Sequence, residues 1–226
     1  MIKGILWKFI EAHQKQSTKL SVLKGKEKFN RGFKEITLRR KKWLEFSELA
    51  LEELRVLRQY AEDIDFPYKL YIVDSKSNSS AENTLQTIQI FFGDSSLGIY
   101  TLESDSKKIG LEQGCRLLFA QSISGEIICI LFPCQSDFKK SLHDYILLSG
   151  FHKPSWYTKR RISRFLFYLL AYFQVRSIFG WPSLMDRAVV VMIEIMHYLR
   201  SKMTLSGVFK ESISKTLKMI GKRITP

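Results

Sequence analysis

Cys115-Arg-Leu-Leu-Phe-Ala and Ile127-Ile-Cys-Ile-Leu-Phe, two short apolar runs on either side of the turn-like Ile123-Ser124-Gly125, leave little freedom in what surrounds them. Successive strand residues point to opposite faces of a sheet. Both runs are apolar at both alternating positions, so each strand needs cover above and below and belongs at the centre of its sheet. The short link favours antiparallel pairing, because parallel neighbours need a long crossover. Residues 68–74, 85–92 and 97–103 continue the strand pattern, with Gly93-Asp94-Ser95-Ser96 as a further hairpin turn. The expected fold is α+β: an antiparallel meander of about five strands over residues 68–133, covered by helices on both faces.

Helical periodicity frames this sheet. In residues 1–16, Ile2, Ile5, Leu6, Phe9 and Ile10 recur at three- and four-residue spacing, while Lys3, Lys8, Glu11 and Lys15 fall opposite. Lys8 and Glu11 interrupt the apolar run, and no small-residue cleavage site follows, so the segment does not read as a signal peptide. Residues 17–42 are polar, basic and punctuated by Gly25 and Gly32, and read as a linker or loosely ordered arm. Trp43, Phe46, Ala50, Leu54, Leu57, Ala61 and Ile64 then mark one face of a helix over 41–64, ended by Asp65-Phe66-Pro67.

Ser136-Asp137 suits the cap of a helix running to about Ser149, with Gly150 at its exit. Further helices are expected after a Thr158 cap and over about 183–202, with Pro182 in the first turn. Val189-Val190-Val191 makes a strand the alternative there. The organisation is a basic amphipathic helix and arm over 1–40, a core domain over 41–206 and a basic amphipathic helix over 207–226.

Residues 162–182, ISRFLFYLLAYFQVRSIFGWP, decide between membrane and core. Spanning a bilayer needs about 20 apolar residues. The uninterrupted run, Phe165 to Phe173, is nine residues long and lies between Arg164 and Gln174. Ile162, Phe165, Leu166, Leu169, Leu170 and Phe173 form one stripe, opposite Arg160, Arg164, Ala171 and Gln174. This is a core helix with a basic outer face, broken only by Phe167. Base stacking by Tyr168, Tyr172 and Trp181 is the functional alternative, but aromatic residues are ordinary core material.

The chain carries 36 Lys and Arg against 22 Asp and Glu, a net charge of +14. Residues 1–43 contribute +10, 44–63 −4, 64–150 −3 and 151–226 +11, which together give the total of +14. An anionic partner should therefore meet the two ends. Cys115, Cys129 and Cys134 leave one thiol over in any pairing and sit in or beside apolar runs. They read as small hydrophobes in a reducing, cytoplasmic compartment.

No residue set offers a nucleophile, base and stabiliser at workable spacing, so no catalytic activity, cofactor or metal is expected. Asp74-Ser75-Lys76 resembles the Asp-x-Lys element of restriction-type nucleases, where an acid holds a metal and a lysine supports the attacking water. The second acid would have to be Asp65, which lies ahead of the strand. Cys134, His143 and His152 lack the close ligand pairs of a zinc site. His143 and Asp144, adjacent on a helix, would point about 100° apart.

What remains is charge joined to amphipathicity. In residues 207–224, Phe209, Ile213, Leu217, Ile220 and Ile224 share one face, and Lys215, Lys218 and Lys222 occupy the other. With the N-terminal helix, this fits a protein peripheral on an anionic membrane surface. The contacts would be Lys3, Trp7, Lys8, Phe9, Lys15, Phe209, Lys215, Lys218 and Lys222. The competing partner is a nucleic-acid backbone, tracked without base readout by Arg39, Arg40, Lys41, Lys42, Lys159, Arg160, Arg161 and Arg164. A protein groove that accepts the amphipathic ends is the third. The sequence leads to a non-enzymatic binding protein.

Overall fold

The computed structural model describes residues 2–75, 86–103, 106–136, 141 and 143–204, and within these the side chains of 17–98 and 110–201. In chain order the strands are β1 (Leu70–Asp74), β2 (Thr87–Phe92), β3 (Ser95–Glu103) and β4 (Ser106–Gln113). They continue with β5 (Arg116–Gln121), β6 (Ile127–Phe132), β7 (Gln135–Ser136) and β8 (Ile146–His152). Among the described residues three α-helices accompany them: α1 (Ile2–Asp63), α2 (Lys159–Arg176) and α3 (Leu184–Thr204).

The fold is α+β. A five-stranded sheet runs β1-β2-β5-β6-β8 with every neighbouring pair antiparallel, and β3-β4-β7 form a second, three-stranded sheet. The two runs apolar on both faces, β5 and β6, are central and buried almost throughout, as their composition requires. Residues 97–103 differ from expectation: β3 leaves the meander and pairs with β4.

One face of the large sheet meets all three helices. Trp43, Phe46, Ala50 and Leu54 of α1, Phe165, Leu169 and Phe173 of α2, and Val190 and Ile193 of α3 join Ile90, Leu117, Phe119, Cys129 and Leu131 in one cluster. The other face carries Leu118, Ala120, Ile128, Ile130 and Leu147, and among the described residues no helical side chain joins that cluster. Helical cover is therefore seen on one face, where two were expected.

The helix placed up to Ser149 is instead strand β8, paired with β6. Ile146, Leu147 and Leu148 suit either state locally, and the open edge of β6 decides it. Gly25 and Gly32 do not interrupt α1, which is helical through the supposed linker. Each glycine costs about 1 kcal/mol against alanine, too little to end a helix flanked by good helix formers. Ala171 is buried, although the stripe placed it opposite the core. Thr158 makes no side-chain cap bond. Ser183 and Asp186 instead form a reciprocal capping box at the start of α3. Cys115 and Cys134 form a disulfide, and Cys129 is a buried free thiol. That pairing removes the argument for a reducing compartment.

No described helix is long and apolar enough to cross a membrane. The apolar core stretch is α2, as its periodicity implies.

Candidate functional site

At a rise of about 1.5 Å per residue, the 62 residues of α1 span about 93 Å. From Trp43 onward the helix is anchored. The hairpin between β5 and β6 grips it one turn earlier: Gly125 takes φ +76°, and a Cβ there would meet Arg39 and Arg40 at 2.8–3.0 Å. Arg39 also pairs with Glu126 at 3.3 Å and with Glu35 on its own helix. N-terminal to this grip, every described side chain from Ser17 to Glu35 is exposed. The helix leaves the domain as a projecting arm.

The arm keeps an apolar stripe without a core to bury it. Val22, Phe29 and Ile36 recur every seven residues and extend the line of Trp43 and Ala50. Phe29 is 82% and Phe33 73% exposed. Residues 17–42 hold ten Lys and Arg against Glu27 and Glu35. The backbone of residues 2–16 continues the same helix, which carries Lys3, Trp7, Lys8, Phe9 and Lys15 to its distal end. Phe209, Lys215, Lys218 and Lys222 lie outside the described residues.

The arginine and lysine runs divide. Arg39 is engaged as described. Lys159 pairs with Glu53 at 2.9 Å, and Arg161 stacks on Trp156 at 4.2 Å and donates to its carbonyl oxygen. Arg40, Lys41, Lys42, Arg160 and Arg164 are exposed and make no ion pair with a described residue. They remain available to an anionic partner. Tyr172 is buried and Trp181 is 93% exposed, so the three aromatics weighed for stacking do not form one surface.

Glu112, which periodicity did not single out, lies at the junction of the small sheet and the α2–α3 loop. It is 1% exposed. Tyr68 Oη and Ser177 Oγ donate to its Oε2 at 2.8 and 2.9 Å, and the Ile178 N–H donates to Oε1 at 2.8 Å. Both oxygens are thus occupied, so the carboxylate is a structural tie and is not presented as a base. Burial and then the Glu112 charge hold the Tyr68 hydroxyl above its ordinary pKa, outweighing its bond with Ser177. Tyr68 and Phe173 wall an open cleft of about 360 Å³ beside this tie.

A second polar cluster joins α3 to β8. The Leu147 N–H donates to His197 Nδ1 at 3.0 Å, and Arg200 donates to the carbonyls of Leu147 and Leu148. His143 and Tyr145 stand against the His197 ring. Burial first, then the charges of His143 and Arg200, lower the His197 pKa; burial, Arg200 and Arg161 lower that of His152. The unfolded chain takes up these protons near pH 6.5 while the folded protein still refuses them. Stability held above that pH is therefore lost as pH falls toward the depressed folded-state values. Thermal melts should show a flat midpoint above pH 7 and a fall below about pH 6.5. His197→Asn, which keeps an acceptor near Nδ1 but does not titrate, should flatten part of that fall. An unchanged acid slope would exclude His197 as its source.

The other chemical candidates do not assemble. Among the described residues no three His, Cys, Asp or Glu side chains gather as metal ligands. Cys134 is held in its disulfide, apart from any role beside His143 and His152. Asp65 is exposed at a left-handed turn after α1, Asp74 ends β1, and Lys76 lies outside the described residues.

Comparison with protein-family models, with curated proteins and with solved structures finds no match for this chain.

Proposed function

We propose that this protein is a non-enzymatic binding protein that lays the cationic arm of α1 on an anionic membrane surface. The carrying observation is the arm itself: a helix exposed on all sides, rich in lysine, with Val22, Phe29 and Phe33 in water on one stripe. An isolated helix gains little stability in water and normally owes it to packing of an apolar face. An interface supplies that packing, taking the phenylalanines below the headgroups while the lysines meet lipid phosphates. A leaflet that carries anionic lipid is the surface of matching charge.

A nucleic-acid backbone would satisfy the exposed Arg40, Lys41, Lys42, Arg160 and Arg164 but leaves the arm's apolar stripe unused. A protein groove for the amphipathic ends would use that stripe and not the charge.

The test is co-sedimentation with phosphatidylserine-containing vesicles, with phosphatidylcholine vesicles and with single- and double-stranded oligonucleotides across a salt series. Binding should require the anionic lipid. The pair Phe29→Ser and Phe33→Ser should weaken it by about tenfold or more, since these changes remove the component that salt does not screen. Vesicle binding unaffected by that pair would end the membrane reading. Oligonucleotide binding that loses salt dependence on substitution of Arg160 and Arg164 would replace it.

A further inference from the structure

α3 is apolar on two faces. Its inner face, Val189, Val190 and Ile193, is in the core. Its outer face carries Leu184, Met185, Ala188, Val191, Met192, Ile195, Tyr198 and Leu199, all exposed, with Leu184 at 85%. A contiguous apolar face on a helix is ordinarily buried against another element.

The exposed area is large. Leu184, Met185, Val191, Ile195, Tyr198 and Leu199 are each more than half exposed. Together they make an apolar face of roughly the 300–600 Å² at which the largest surface patch of a monomer is often an interaction site.

Charge and spacing identify the occupant. From Leu184 to Thr204 the helix holds Asp186 and Glu194 against Arg187, Arg200 and Lys202, a net charge of +1 within a chain of +14. A like-charged second copy therefore meets little repulsion on this helix, and an anionic surface gains little attraction there. The outer positions 184, 185, 188, 191, 192, 195, 198 and 199 are separated by 1, 3, 3, 1, 3, 3 and 1, a series that reads the same in both directions about its midpoint between Val191 and Met192. A twofold interface must be complementary to itself. Two such helices crossing antiparallel would set Leu184 opposite Leu199, Met185 opposite Tyr198, small Ala188 opposite large Ile195, and Val191 opposite Met192.

We propose that the protein dimerises by antiparallel packing of the outer faces of α3 about a twofold axis at Val191 and Met192. The dimer carries two cationic arms, so a surface held by one arm is presented to the second at raised effective concentration.

Sedimentation equilibrium tests this without any ligand. The wild type should show twice the mass of one chain, and the Val191→Glu, Ile195→Glu double variant should show the mass of one chain with an unchanged circular dichroism spectrum. Register is read separately: a mixture of Leu184→Cys and Leu199→Cys chains should cross-link on oxidation far more than either alone. A wild type that stays monomeric well above micromolar concentration overturns the proposal. So does a dimer indifferent to the two glutamates, or cross-linking without preference for the mixed pair. A monomer whose vesicle binding disappears with the two glutamates gives this face to the bilayer instead. The Phe29→Ser, Phe33→Ser pair should leave the dimer intact, so failure of the membrane reading and failure of the dimer appear in different measurements.

Discussion

Glu112→Ala is expected to destabilise the protein by about 3 kcal/mol, visible as a lower urea midpoint and a thermal midpoint lower by about 6–12 °C. The side chain accepts from Tyr68 Oη, Ser177 Oγ and the Ile178 N–H. Its removal leaves three donors without this acceptor beside a new void, and a buried donor left unpaired costs about 1–3 kcal/mol. Water entering from the adjacent cleft offsets part of that sum, which is why the expected loss is well below three full penalties. Glu112→Gln should cost less, because it keeps the volume and one accepting oxygen while turning an NH₂ toward a donor. Tyr68→Phe removes a single donor and should be the mildest of the three. A loss under about 1 kcal/mol for the alanine variant would mean that the tie is not what holds the α2–α3 loop to the small sheet.

Glu112 shows why part of the fold escaped sequence reading. In β4, Gly110 and Glu112 point inward while Leu111 is half exposed, the inverse of the usual alternation. Period-two patterning assumes that apolar means inside, and here the inward carboxylate is held by hydrogen bonds whose donors lie 44 and 65 residues away. β5 and β6 were legible for the opposite reason: with both faces apolar, no register leaves them outside. At β8 the capping and exit signals, Ser136-Asp137 and Gly150, are local and favour a helix, whereas its state is set by pairing with β6. Local signals divide α1 into helices over 1–16 and 41–64 joined by a linker, because Gly25 and Gly32 look like helix breaks, although each costs only about 1 kcal/mol and the helix runs on through both.

The candidate surfaces were legible unevenly. The cationic ends follow from counting. That the lysines of residues 17–35 stand clear of the domain depends on α1 being continuous. The symmetric spacing on α3 is present in the sequence, but a helix apolar on two sides does not reveal which side meets the core.

The division of α1 into an anchored and a projecting part yields the largest expected effect. Trp43 is 0% exposed, packs on Phe46 at 5.2 Å, and through Phe46 reaches Phe119 and Tyr157. Trp43→Ala removes an indole from the point where the helix enters the core and should cost about 3–5 kcal/mol. Trp43→Phe should cost much less, since it keeps most of the ring packing and deletes an Nε1–H that is buried without a hydrogen-bond partner among the described residues. Deleting residues 1–34, a far larger change in the chain, removes only side chains in water among those described from Ser17 onward. It leaves Arg39 and its pairing with Glu126 in place. That deletion should move the thermal midpoint by no more than a few degrees while abolishing binding to anionic vesicles. If it instead destabilised the domain as much as Trp43→Ala, the arm would be part of the folded core and the surface-binding reading would lose its support. If Trp43→Ala were tolerated, the anchor would lie elsewhere on α1, with Leu54 the next candidate.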